Sequence, residues 1–168
     1  MNQKRVFLLC GIPASGKSTW ARAQQSETTK WISRDVIRFN ILQEGDDYFA
    51  KEDEVFDIFI NLINDYLKDD ILENIIVDAT HLNKKSRDKV LKKLDKTHIS
   101  ECNCIVFTTP LEVCLDRNEQ RSGREKVPRG VVRRMFFSCE IPKAEENFNH
   151  VYSADGFGNI KEVKRVYE

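Results

Sequence analysis

No apolar run in the 168-residue chain approaches the roughly 18 residues of a membrane span. There is no excess of either charge: 27 Lys and Arg stand against 27 Asp and Glu. That excludes a uniformly basic coat for nucleic acid and leaves room for a local basic face. The five cysteines, Cys10, Cys102, Cys104, Cys114 and Cys139, are odd in number and lack C-x-x-C spacing. They argue against a disulfide framework or a zinc site and read as small buried apolar side chains. The first five residues precede a short apolar run, 6–10, too short for a signal-peptide core, so a cytoplasmic location is expected. No repeat, low-complexity tract or linker interrupts the chain. With 40% hydrophobic and 32% charged residues, it reads as one globular domain over 1–168, long enough to bury a core without staples.

Charge is segregated along the sequence. Residues 44–73 hold eleven acidic and two basic residues, whereas 81–98 and 117–134 each hold seven basic and two acidic. Each block alone reads as a solvated helix face; two basic blocks beside an active site would steer anions. The apolar runs 6–10, 75–77 and 104–107 suit buried parallel strands, with 30–33 a further short strand. Periodicity predicts helices over 17–25, 34–43, 54–72, 84–96 and 110–120. In the second of these Val36, Ile37, Ile41 and Asn40 line the inner face, and Asn83 is a plausible cap for the fourth. Residues 121–126 read as a loop. Pro128 opens a last helix with Val131, Val132, Met135, Phe136 and Cys139 on one side. Strands from His150 to Tyr152 and from Ile160 to Tyr167 would pair through a turn at Asp155-Gly-Phe-Gly158. Strands alternating with helices predict a three-layer α/β fold on a parallel sheet.

Gly11-Ile-Pro-Ala-Ser-Gly16-Lys17-Ser18 fits G-x-x-x-x-G-K-[ST], with an apolar strand before it and a helix-competent segment after. Glycines let backbone N–H groups curl around an anion, and the following helix points its positive end at the same place. Ala14, Ser15, Gly16 and Thr19 complete the candidate cradle. Lys17 supplies charge for the β- and γ-phosphates, and Ser18 a hydroxyl for Mg²⁺. The implied ligand is a nucleoside triphosphate. Guanine readers use Asn-Lys-x-Asp, and here Asn83-Lys84-Lys85-Ser86 lacks the carboxylate. Motor ATPases usually follow the strand-end Asp with Glu, and here Asp78 precedes Ala79. A small phosphotransferase fits what is left.

Asp35 and Arg38 follow the second strand three residues apart, on one face of a helical turn. A kinase needs a carboxylate there to accept the proton of the attacking hydroxyl. On spacing alone, Asp35 reads first as a helix-capping or first-turn carboxylate. Asp78 ends the third core strand and suits Mg²⁺ binding.

From Val6 to about Met135, in collinear order, the chain resembles the 5′-kinase domain of phage-type polynucleotide kinases and the related stand-alone P-loop kinases. The resemblance lies in the phosphate loop with Trp20-Ala21-Arg22 after it, in Ser33-Arg-Asp-x-x-Arg38, in Asp78-Ala-Thr80-His81-Leu82-Asn83, and in Arg117-Asn-Glu-Gln-Arg121 followed by Val127-Pro128. It implies a P-loop kinase fold with a helical lid at about 117–139. It implies ATP as phosphoryl donor, Mg²⁺, and a single-stranded or end-exposed DNA or RNA 5′-hydroxyl as acceptor. By the same resemblance Asp35 is the general base, Arg38 holds the phosphate 3′ to the accepting nucleoside, and Asp78, Thr80 and Val127 border the acceptor. Arg121, with Arg124 able to share the role, covers the γ-phosphate. No Asp-x-Asp-x-Thr phosphatase motif is present, so kinase activity alone is expected. A P-loop kinase acting on a small molecule or nucleotide sugar is the alternative. A non-catalytic nucleotide switch is a third reading, opposed by the missing guanine motif.

Overall fold

A computed structural model describes residues 2–163. The central strand, β1 (Lys4–Cys10), alternates its side chains between two cores. Val6, Leu8 and Cys10 enter a cluster with α3 (Glu52–Leu67) and α4 (Lys84–Leu91). Phe7 and Leu9 face the other side, where Ala21 and Trp20 of α1 (Lys17–Ala23) pack. A sheet clad on both faces gives the expected three-layer α/β fold. The other strands are β2 (Thr29–Ser33), β3 (Asn74–Asp78), β4 (Ile99–Phe107), β5 (Val151–Ala154) and β6 (Ile160–Glu162). Their order is β2-β3-β1-β4-β5-β6. All pair in parallel except β6, which runs antiparallel to β5. The chain leaves β1 through α1 toward β2 and leaves β3 through α4 toward β4, on opposite sides. A crevice therefore opens at the carboxyl ends of β1 and β3. Helices α2 (Arg34–Ile41), α5 (Leu111–Glu119) and α6 (Arg129–Ser138) surround it. Ile12, Cys114, Leu115 and Val132 form a third small core that joins α5 and α6 to the phosphate loop.

Several boundaries differ from the periodicity, each for a local reason. Helix α3 stops at Leu67 rather than 72, because the Asp69 carboxylate accepts the Ile71 N–H at 2.9 Å and turns the chain. Helix α4 stops at Leu91 rather than 96. The Asn64 side chain of α3 bonds the Lys93 carbonyl at 3.0 Å and the Asp95 N–H at 2.8 Å, drawing the backbone out of register. Asn83 does cap α4, in a reciprocal capping box with Ser86. Strand β4 starts five residues before the apolar run, at Ile99. Its polar half is held by pairing with β1 and by the Asn149 side chain, which accepts the Cys102 N–H at 2.8 Å. Val36 is 46% exposed and turns toward the crevice, so it does not line the inner face of α2. Phe136 is likewise 36% exposed, edge-on to the exposed Phe137. The final hairpin forms as far as Glu162, and the part of its second strand from 164 to 167 lies outside the described residues. The cysteines are buried or half-buried thiols, with Cys10 Sγ 4.0 Å from Cys139 Sγ at the end of α6. Among the described residues no helix is long and apolar enough to cross a membrane.

Arg87 of α4 is fully buried and bonds the backbone of His81, which lines the crevice. Its Nε and Nη2 donate to the two Glu146 carboxylate oxygens at 2.7 and 3.0 Å, and its Nη1 to the His81 and Glu140 carbonyls at 2.9 and 3.0 Å. The Glu146 side chain is 2% exposed. Removing one partner of such a pair strands a buried charge, so Arg87→Ala should cost about 3–5 kcal/mol of stability in urea unfolding. Burial works against the Glu146 charge, and Arg87 together with the Lys143 N–H more than offsets it, holding the carboxyl below its usual range. A lowered folded-state pKa contributes stability above the unfolded carboxyl value and loses it as pH falls through the folded one. The parent should therefore lose part of its stability in that acid window, and Glu146→Gln should flatten that loss.

Candidate active site

Chain geometry at the end of β1 makes an anion cradle. Ala14 and Gly16 have positive φ, 64° and 97°, which turns successive N–H groups inward. The Ser15 hydroxyl is buried with no partner. Gly11 differs from the expectation: its N–H is already bonded to the Thr80 carbonyl at 2.9 Å, and it does not line the cavity. A Cβ on it would come within 3.0 Å of Phe107 and Ser15, so its contribution is room for the loop. Ala14, Ser15, Gly16, Lys17, Ser18 and Thr19 all line a cavity of about 1200 Å³.

Lys17 is 7% exposed, and its ammonium donates to the Ile12 carbonyl at 3.0 Å. Burial lowers its pKa, while the Asp78 and Asp35 carboxylates pull it back up. Ser18 donates to Asp78 Oδ2 at 2.7 Å, and the Trp31 indole N–H reaches the same oxygen at 2.9 Å. Burial raises the Asp78 carboxyl above its usual range, against Lys17, Trp31 and Ser18. A hydroxyl and a carboxylate side by side at the cradle are hard oxygen donors of the kind Mg²⁺ takes, its other ligands being phosphates and water. Among the described residues there is no cluster of three or more His, Cys, Asp and Glu for a metal.

Asp35 and Arg38 share the first turns of α2, which Ser33 caps by accepting the Val36 N–H at 3.2 Å. Both line the cavity. Arg38 Nη1 donates to Asp35 Oδ1, and the Tyr48 hydroxyl donates to the same oxygen at 2.6 Å. Arg38 is only 4% exposed. Its Nε and Nη2 bond Glu52 at 2.9–3.2 Å, and Glu52 also takes Arg34 at 2.5 Å. The guanidinium lies over the Tyr48 ring, 4.3 Å from its centroid. Thus Arg38 orients Asp35, and its fork is occupied by Glu52. Burial and then Asp35 raise the Tyr48 phenol, so it stays a donor at neutral pH.

Thr80 and Val127 line the cavity as well. The Asn118 side chain clamps both backbone groups of Val127, at 2.7 and 3.0 Å. His81, with Nδ1 2.6 Å from the Leu9 carbonyl, is pushed down to about 3 by burial and is neutral, so Nδ1 carries the proton. Arg121 and Arg124 rim the same cavity. Arg121 makes one long bond, to the Glu125 carbonyl at 3.4 Å, whereas Arg124 donates to the Gln43 carbonyl across the opening.

Sequence reasoning missed several residues here. Glu52, Tyr48 and Trp31 carry no motif; their contacts arise from tertiary placement. Arg117 donates to the Gly156 carbonyl at 2.9 Å and lies 5.2 Å from the Phe157 ring centroid. Thr109, whose hydroxyl bonds the Ser15 carbonyl at 2.6 Å, would be 2.1 Å from a Cβ on Gly156. Only glycine lets the β5–β6 turn sit against the phosphate loop. Its signal was the Gly-Phe-Gly stretch between two strands.

Residues 6–142 match the family model of an AAA domain. The chain belongs to that family. Among curated proteins it is 27% identical to the transcription factor bHLH140 of Arabidopsis thaliana, over 96% of this chain and 17% of that protein. It is 29% identical to a putative bifunctional polynucleotide kinase/RNA ligase of Autographa californica nuclear polyhedrosis virus, over 73% of this chain and 19% of that protein. The chain thus spans less than a fifth of each of these relatives. Among solved structures it superposes on the Pnkp1/Rnl/Hen1 RNA repair complex with a TM-score of 0.65 at 18% identity, covering 82% of this chain and 44% of that one. Kti12 of Chaetomium thermophilum with ADP-AlF3 gives 0.62 at 16%, covering 92% and 90%. A sugar kinase of Janibacter sp. HTCC2649 gives 0.60 at 18%, covering 92% and 86%. The fold is the three-layer α/β fold that these structures share, and a phosphate loop of this sequence is of the kind that cradles nucleotide phosphates.

Proposed function

We propose that the domain transfers the γ-phosphoryl group of ATP to the 5′-hydroxyl end of a DNA or RNA strand. The observation that carries this is the Asp35–Arg38 pair opening into the same cavity as Lys17, Ser18 and Asp78. The similarity to a viral protein named as a polynucleotide kinase/RNA ligase supports it. In this reading the N–H groups of the loop and Lys17 hold the donor's phosphates. Ser18 and Asp78 would hold Mg²⁺, which neutralises phosphate charge when bound. Asp35 Oδ1 is held by Tyr48 and Arg38, leaving the other oxygen to take the proton of the attacking hydroxyl. Arg121 lies over the transferring group. Arg38 meets the acceptor's phosphate by exchanging part of its Glu52 contact for it.

That exchange is also what favours a second reading. With the Arg38 fork already filled by Glu52, a small acceptor without a phosphate would leave the site as it stands. Transfer from [γ-³²P]ATP separates the two. Matched 5′-hydroxyl DNA and RNA oligonucleotides compete against sugars and nucleotide sugars. The polynucleotide reading expects label on an oligonucleotide, undiminished by the small acceptors. Label on a sugar, with none on either oligonucleotide, overturns it.

A further inference from the structure

The segment between α2 and α3 carries two adjacent aromatic residues that neither the phosphate loop nor the proton transfer uses fully. Tyr48 is tied down: its hydroxyl bonds Asp35 at 2.6 Å and its ring carries the Arg38 guanidinium. Phe49, next to it, is 64% exposed and lines the cavity. Tyr48 meets Phe49 edge-on, with centroids 4.7 Å apart at 84°, and meets Phe39 of α2 at 6.1 Å and 68°. A single exposed phenylalanine on an open surface is ordinary. This one is fixed, through Tyr48, to the carboxylate that would receive the acceptor's hydroxyl. Any hydroxyl that reaches Asp35 brings the rest of its molecule beside this ring. A sugar offers it hydroxyl groups. A nucleoside offers a flat π-face, and one base–aromatic stack tolerates every base because every base has such a face.

We infer that Phe49, braced by Tyr48 and Phe39, is the platform on which the acceptor's 5′-terminal nucleobase stacks, so that acceptor choice is made partly by base stacking at the wall beside Asp35. This rests on the polynucleotide reading above. The platform reads the presence of a base rather than its identity, because nothing in it forms a hydrogen bond to a base edge. Tyr48 is a positioning residue that acts through Asp35.

The test compares two acceptors: a 5′-hydroxyl oligonucleotide, and the same strand with an abasic 5′-terminal nucleotide. Both keep the hydroxyl, the sugar and the next phosphate. The parent should prefer the base-bearing strand by about 5- to 150-fold in kcat/KM, the range for one stack. Phe49→Ala should abolish that preference by raising KM for the base-bearing strand, with KM for ATP unchanged. Phe49→Trp should keep it. Tyr48→Phe retains the ring and loses the donor to Asp35, so it should lower kcat on both strands and keep the preference. This opposite split between KM and kcat is not what a general folding defect produces. Equal use of both strands by the parent, or a preference that survives Phe49→Ala, overturns the platform and leaves the kinase reading standing. Failure of both strands as acceptors, with a sugar accepted, overturns the polynucleotide reading and the platform together.

Discussion

Asp35→Asn is expected to lower phosphoryl transfer by about 10²–10⁴, the usual worth of a positioned general base. The substitution changes little else. An amide has nearly the shape of a carboxylate, and its oxygen still accepts from Tyr48 and Arg38 where Asp35 Oδ1 does now. Ser33 continues to cap the helix. ATP binding should therefore persist, because the cradle, Lys17 and Ser18 are untouched. Single-turnover transfer from labelled ATP reads the loss, and calorimetric titration with a non-hydrolysable ATP analogue reads the binding. A drop in rate with retained nucleotide affinity assigns the proton to Asp35. Undiminished turnover would return Asp35 to the role its spacing alone suggests, a carboxylate in the first turn of a helix.

That contrast shows where the sequence was informative. The phosphate loop is contiguous, so its residues could be read together, and all but Gly11 and Ile12 line the cavity. The buried strands were legible because a strand covered on both faces is a continuous apolar run, as in Val6 to Cys10. Polar strand ends were not: residues 99–103 of β4 look like a loop until β1 and Asn149 supply their partners. Helix ends failed where a side chain from another element intervened, as Asn64 does at the end of α4. The cavity wall around Asp35 was least legible. Glu52 sits 14 residues after Arg38 and Tyr48 13 after Asp35, separations with no local periodicity. Their meeting depends on α3 folding back on α2 and on the turn between them. Val36 was assigned inward because it is apolar; its exposure instead places an apolar side chain on the cavity wall.

Arg121 and Arg124, alike in sequence, differ in what their guanidinium groups do. Arg124 donates to the Gln43 carbonyl, which ties the segment after α5 to the one between α2 and α3. Among the described residues Arg121 makes one bond, at 3.4 Å, and leaves donors for a ligand. Arg121 and Lys17 line the same cavity. Two cations lining one cavity suit an anion, and the transferring phosphoryl group spreads its charge in the transition state. An arginine in that role is worth about 10³–10⁵ in rate. Arg121→Ala should therefore reduce kcat by about that factor, with a smaller change in ATP affinity. Arg121→Lys should recover only part of it, because an ammonium does not offer the planar fork. Arg124→Ala should cost about tenfold, through a less firmly closed lid. Binding of ADP with aluminium fluoride, a mimic of the transferring group, gives a second measure. Arg121→Ala should lose tight binding of the mimic and keep most of its affinity for ATP, since only contacts stronger in the transition state accelerate the step. If Arg124→Ala shows the large loss and Arg121→Ala the small one, the γ-phosphate contact belongs to Arg124, and its bond to Gln43 is the resting position of an arginine that swings inward.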